Sequence, residues 1–133
     1  LTAAAVACGF SMGEYQSDIV KKWIKAAHKA IGPLGTGGRM GHDEYAHHYY
    51  AQAAYSLGDD GYEKLFPGTP ESERLTWSGY KAKTFPALLR TQDQDGSWTS
   101  QSPWSSMAGP VYTTAVYLSI LQLEKGVLPI YQR

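Results

Sequence analysis

The chain has 133 residues, with twelve Lys and Arg against twelve Asp and Glu; this formal net charge of zero removes charge-driven nucleic-acid binding as a leading function. An apolar fraction of 43% at this length supports one packed unit over residues 1–133, no apolar run nears the roughly 20 residues of a membrane-spanning helix, and the single Cys8 excludes an intramolecular disulfide framework and a Cys-based zinc site. More unusual is the aromatic content, 4 Trp, 10 Tyr and 3 Phe, led by the one residue that keeps a polar tip on an apolar body.

In chain order, Thr2 to Phe10 is small and apolar on every side, with Ala3, Ala4, Ala5, Val6 and Ala7, and predicts a short helix buried all round. It lacks a basic leader and reads as helix, not signal peptide. The chain begins at Leu1, not Met, so a processed or excised piece of something longer is expected. Ser17 is the predicted N-cap of a second helix, where Ile19, Val20, Trp23, Ile24, Ala27 and Ile31 recur at helical spacing opposite Lys21, Lys22, Lys25 and Lys29. The Lys stripe reads as a solvated outer face, with anionic lipid or an acidic partner as the alternative. Gly32-Pro33 ends this helix, and the Gly-rich stretch to Gly41 is a connector; Gly35-Thr36-Gly37-Gly38-Arg39 lacks the ending and the preceding strand of a phosphate loop.

A third helix is predicted from Glu44 to Leu57, almost without charge, with Ala46, Tyr49, Tyr50, Ala53, Ala54 and Leu57 on one stripe and His48, Ala51, Gln52 and Tyr55 on another. Gly58-Asp59-Asp60-Gly61 stops it and an irregular excursion follows. The fourth helix covers about Trp77 to Gln92, where Pro86 either kinks it or sits in the first turn of a fresh helix capped by Thr84. After a loop from Asp93 to Gly109, Pro110 opens a fifth helix, Val111 to about Glu124, apolar on most sides. The order buried, amphipathic, buried, amphipathic, buried is that of helical hairpins with one lining and one water-facing member, and the chain is read as all-α. A shift of 47 positions supports a duplication, placing Ala4 on Ala51, Ala7 on Ala54 and Phe10 on Leu57.

The most informative motif follows the fourth helix: Gln92-Asp93-Gln94-Asp95-Gly96-Ser97-Trp98. Asp95-Gly96 predicts a tight turn with Gly96 at positive φ, Trp98 an apolar plug, and Gln92 a side-chain partner for backbone groups left over at the helix end. The spacing Gln-x-x-x-Gly-x-Trp resembles the QW motif of the squalene/hopene cyclases and the related prenyltransferase repeats. Lys83 and Leu88 fit its fuller form, whereas Thr84 and Ala87 depart from the small residue and the aromatic expected there. Tyr45-Ala46-His47-His48-Tyr49-Tyr50-Ala51-Gln52-Ala53 is similar to the aromatic inner helix of bacterial squalene-cyclase-like repeat proteins, and Val111-Tyr112-Thr113-Thr114-Ala115 and Leu128-Pro129-Ile130-Tyr131 to their last hairpin and C-terminus. The resemblance spans about two thirds of the chain. It implies an α/α-toroid, of which this chain would be an arc of about two and a half hairpins.

A class II cyclase protonates an alkene with a carboxyl held protonated in a dry cavity. Asp93-Gln94-Asp95 lies in the motif turn, so the candidates for that role are Asp43 and Glu44; the prenyltransferase zinc site has no counterpart around Cys8. The cluster His42-Asp43-Glu44-Tyr45-Ala46-His47-His48 places Glu44 within reach of His47 and His48 on a helix, and stays open between a metal site, a polar patch at a cavity mouth and a plain helix start with acids near the dipole. Tyr45, His48, Tyr49, Gln52, Tyr55 and Tyr112 are the candidate ligand contacts, and Gln92, Asp95, Gly96 and Trp98 the structural motif. The expectation is a binding or scaffolding module with an aromatic, apolar concave face, without a cofactor, taking an apolar or isoprenoid-like molecule and a protein partner or a second copy. The alternatives are a cyclase- or prenyltransferase-like fragment, and an arc that completes its ring with another chain.

Overall fold

The computed structural model describes residues 1–31, 43–100 and 102–126. Among them the chain is all-helical: α1 (Thr2–Ser11), α2 (Asp18–Ala30), α3 (Asp43–Leu57), α4 (Gly61–Leu65), α5 (Trp77–Arg90), α6 (Pro103–Ala108) and α7 (Pro110–Leu121), with single 3₁₀ turns at Glu71–Glu73 and Leu123–Lys125. The Gly-rich connector, Gly32-Pro33, His42 and the ending Leu128 to Tyr131 lie outside the described residues.

The centre of the molecule is α3. It packs against α1, α5 and α7, while α2 packs on α1. Its buried side is Tyr50, Ala51, Ala53, Ala54 and Leu57, and the small Ala residues let neighbouring helices come close. The two stripes expected on this helix are redrawn: Ala51 is fully buried, and Tyr49 is half-buried beside His48, Gln52 and Tyr55 instead of sharing the buried side with Tyr50. Residues three, four and seven apart share a helix face, and Tyr45, His48, Tyr49 and Gln52 follow that spacing.

The second helix is amphipathic as expected, burying Val20, Ile24 and Ala27, although Ile19 stays exposed. Ser17 occupies its N-cap position without a side-chain capping bond. One of the lysines is not simply solvated: Lys25 Nζ lies 4.6 Å from the centroid of the Phe66 ring, a cation–π contact that ties α2 to the excursion after α4. The first helix is less enclosed than predicted, since Cys8 is exposed; Phe10 and Leu57, superposed by the 47-residue shift, are both core residues.

Pro86 lies inside a continuous α5 and opens no fresh helix. The cap is at Thr76, whose Oγ1 accepts from the Gly79 N–H at 3.1 Å, and Thr84 is buried in the helix body instead of capping anything. The position is tolerable because Pro86 and Ala82, the residue whose carbonyl loses its helical partner, are both exposed to water. The long loop before Pro110 contains α6, and α7 leaves Val111 and Leu118 exposed, so it is less enclosed than its composition suggests.

The turn after α5 behaves as its residues require. Gly96 sits at φ +85°, its N–H donating to Asp93 O at 2.9 Å, while Gln92 Nε2 donates to Gly96 O at 2.8 Å. Asp95 Oδ1 accepts from both the amide and the hydroxyl of Ser97, and those bonds lower its pKa from the usual carboxylate value. Trp98 is then driven inward to 2% exposure, its indole N–H on Leu88 O at 2.8 Å, its amide on Thr114 Oγ1 at 3.0 Å, and its ring edge-on to Tyr117. One side chain thus joins the end of α5, the turn and α7. Trp98→Ala is expected to cost about 3–5 kcal/mol of stability, the usual range for emptying a large buried aromatic site. Urea denaturation measures this, and a loss under about 1 kcal/mol would show that the plug is dispensable.

Candidate functional site

Three features of α3 could carry function, and each begins with a polar or aromatic side chain whose surroundings come from a distant part of the chain. The first is Glu44, in the opening turn and only 2% exposed. Its Oε1 accepts from the hydroxyls of Ser100 and Tyr117, the latter at 3.3 Å, and its Oε2 from Ser102 Oγ at 3.0 Å. Burial pushes this carboxyl up, but the bonds from Ser100, Ser105, its own backbone and Ser102 outweigh it and hold the pKa below the usual glutamate value. Glu44 is therefore a buried carboxylate in a cage of hydroxyls. A cyclase acid needs burial and a raised pKa together; Glu44 has the first and the reverse of the second. Asp43, beside it, is half-buried in the same first turn.

The second feature is a cavity of about 140 Å³ between α2, α3 and α5. Two imidazole–phenol pairs stand in its wall: His28 Nδ1 is 2.6 Å from Tyr50 Oη, and His47 Nδ1 is 3.2 Å from Tyr80 Oη. His28 Nε2 is also 2.9 Å from the Glu73 carbonyl, which can only accept, so in neutral His28 the proton resides on Nε2 and Nδ1 accepts from Tyr50. Burial raises the Tyr50 and Tyr80 pKa values far above the ordinary phenol range, so both remain hydroxyls at neutral pH.

The third feature is the half-buried face of α3. The Tyr45 and Tyr49 rings meet edge-on at 5.0 Å, His48 meets Tyr49 at the same distance, and Gln52 Nε2 donates to the His48 carbonyl at 3.1 Å. Burial raises the Tyr49 pKa, with Tyr45 and Cys8 adding to it, and burial raises that of Tyr112, with Glu44, Tyr45 and Tyr49 adding to it. Both α1, which carries Cys8, and α7, which carries Tyr112, pack against α3. Tyr55 is engaged elsewhere, edge-on to Trp77 at 5.3 Å. Burial also lowers the His48 pKa, which keeps the ring neutral.

Glu44, His47 and His48 do not converge on a metal: Glu44 turns to the serines, His47 to Tyr80, and among the described residues no group of three or more His, Cys, Asp or Glu side chains is arranged to hold an ion. The sequence reading missed His28, Tyr80 and the serines. A single His on a Lys-rich helix looks like surface, whereas the run Ser97, Ser100, Ser102, Ser105, Ser106 was a visible source of hydroxyls for a carboxylate that needed them. Comparison with models of protein families, with curated proteins and with solved structures gave no match to this chain.

Because the folded pKa of Glu44 lies below its ordinary value of 4.5, its contribution to stability is present above that pH and is lost as pH falls through the folded value. The wild-type protein is expected to lose stability on acidification below about pH 4.5 more steeply than Glu44→Gln, and to exceed that variant by about 1–3 kcal/mol at pH 7. Urea titrations of both proteins between pH 3 and pH 7 test this. Parallel pH profiles would remove the ionised carboxylate from the account.

Proposed function

We propose that this chain is an arc of an α/α-toroid of the squalene/hopene cyclase and prenyltransferase repeat kind, and that it binds an apolar, isoprenoid-like molecule without transforming it. The observation that carries the reading is the half-buried aromatic face of Tyr45, Tyr49 and Tyr112, with α1 and α7 flanking α3. Two further features support it. The packing order α1–α3–α7, with α2 on α1 and α5 on α3, is what inner and outer members of successive hairpins would give, and the turn from Gln92 to Trp98, the segment whose spacing resembles the QW motif, has the plugged form its residues predict. Phenol rings offer apolar faces to a hydrocarbon chain while their hydroxyls stay wet at the rim. Catalysis is not part of the proposal, because Glu44, the buried carboxyl nearest this face, is poised to accept hydrogen bonds instead of giving up a proton.

Farnesol is a suitable probe. Its binding, followed by intrinsic fluorescence, is expected to saturate, and Tyr49→Ala and Tyr112→Ala to weaken it about tenfold each, while Tyr55→Ala has little effect. Absence of saturable binding, or equal losses from all three substitutions, sinks the reading.

A second reading, an arc that pairs with another copy, is favoured by α6 and α7, on which Trp104 (59%), Met107 (80%), Val111 (82%) and Leu118 (41%) are each exposed. Sedimentation equilibrium is expected to show a dimer or larger species, reduced to monomer by Trp104→Glu with Val111→Glu. A wild-type monomer at all concentrations counts against it.

A further inference from the structure

The half-buried face of α3 is not uniformly apolar. Tyr45, His48, Tyr49 and Gln52 fall within about 100° of one another around the helix, so an imidazole and an amide belong to the same strip as the phenol rings. The Gln52 amide has a fixed orientation: its Nε2 donates to the His48 carbonyl at 3.1 Å, and because a carbonyl only accepts, Oε1 is the end left over as an acceptor. The His48 ring meets Tyr49 edge-on, yet neither of its nitrogens has a hydrogen-bond partner among the described residues. Among those residues the buried side-chain polar atoms without a partner are Ser17 Oγ and Thr113 Oγ1, so the His48 nitrogens and Gln52 Oε1 are open to the outside instead of sealed in.

These two side chains are one helical turn apart, a spacing at which they are neighbours on the helix surface. Burial lowers the His48 pKa, so at neutral pH the ring has one N–H to give and one nitrogen to accept. Together with Gln52 Oε1 this is the complement of a single hydroxyl, which accepts one hydrogen bond and donates one. The surrounding charges select against an anion. The helices α1, α3 and α7 contain no Lys or Arg, and the groups whose charge acts on Tyr49 and Tyr112 are Glu44, Tyr45, Cys8 and the two tyrosines themselves, all of them acids. An anionic head group would be stripped of water there with no cation to answer it. A bare hydrocarbon fails for another reason: it would cover the His48 nitrogens and Gln52 Oε1 and leave them unpaired.

We infer that the pair His48 and Gln52 is the seat of a hydroxyl head group, and that the ligand of this face is a neutral isoprenoid alcohol whose chain lies over Tyr45, Tyr49 and Tyr112. The inference rests on the apolar-ligand reading for the chain and adds the head group. His48 and Gln52 then set specificity, favouring the alcohol over the hydrocarbon of the same skeleton and over its diphosphate ester.

The test is a parallel titration with farnesol, farnesene and farnesyl diphosphate, followed by intrinsic fluorescence below the concentrations at which these compounds self-associate. The wild-type protein is expected to bind farnesol about tenfold more tightly than either of the others, the usual yield of one well-made hydrogen bond. In His48→Leu and Gln52→Leu the ratio of the farnesene to the farnesol dissociation constant is expected to fall toward one, a change that a general loss of packing would not produce because it weakens both ligands alike. His48→Gln, which keeps a donor and an acceptor, is expected to retain most of the preference. Saturable binding of farnesol and farnesene with equal affinity overturns the head-group inference and leaves the apolar-ligand reading standing, as does a preference that survives both leucine substitutions. Tighter binding of the diphosphate overturns it too. Failure of both farnesol and farnesene to bind overturns the apolar-ligand reading and the head-group inference with it.

Discussion

The structure depends on a single helix that must be kept dry on one side while presenting polar groups to that same side. The buried part of α3 contains Glu44, His47 and Tyr50 among its alanines, and each would cost several kcal/mol if left without a partner. Spaced three residues apart, they turn by about 60° from one to the next around the helix axis. Each therefore faces a different neighbour: Glu44 the serine segment and α7, His47 the middle of α5, Tyr50 the end of α2. The apolar contacts of α3 hold those neighbours close, and the three polar bonds fix which residue of each must come opposite. Hydrophobic area alone would not choose that register.

The same logic explains why the turn after α5 matters beyond its own residues. Trp98 and Ser100 are two positions apart, so whatever fixes the indole against Leu88 also delivers the hydroxyl to Glu44. Gly96 at φ +85° sets the direction in which the chain leaves the turn, and Asp95 braces it through Ser97. A side chain at Gly96 would be strained by its backbone, and the displacement would reach both the plug and the carboxylate cage. Plug and cage are in this sense one construction, joining α3, α5 and α7 through a run of barely ten residues.

What could be read beforehand followed the range of the interactions involved. The helical order, the amphipathic second helix and the conformation of Gly96 are local properties, legible from spacing and residue type. The division of Tyr49 from Tyr50 was not, since both are large aromatics and only packing decides which enters the core. Nor was the ionisation of Glu44: burial and hydrogen bonding act on it in opposite directions, and the deciding partners lie 56 and 58 positions away. His28 was hidden for the same reason, because its partners on α3 and beyond α4 are brought to it by the fold. Pro86 shows the reverse case. A strong local rule left a kink or a fresh helix as the choices, and an exposed site in a helix held by Trp77, Tyr80, Thr84 and Leu88 keeps Pro86 inside one continuous helix.

The abundance of tyrosine has a physical reason in this arrangement. A helix packed on three sides leaves one face that is neither core nor surface, and α3 fills it with Tyr45, Tyr49 and their neighbour Tyr112 from α7. Leu or Phe there would expose a purely apolar strip and invite association through it. Tyrosine instead adds a polar tip to each ring, so the face is tolerable when bare and still apolar enough to be covered. On the opposite, buried side the same residue serves another need: Tyr50 and Tyr117 donate their hydroxyls to His28 and Glu44, and Tyr80 pairs its hydroxyl with His47, while all three fill core volume that Ser or Thr could not. One residue type thus meets both demands of α3, and that is why a charge-poor helix of this kind can carry so many polar atoms without charged neighbours to answer them.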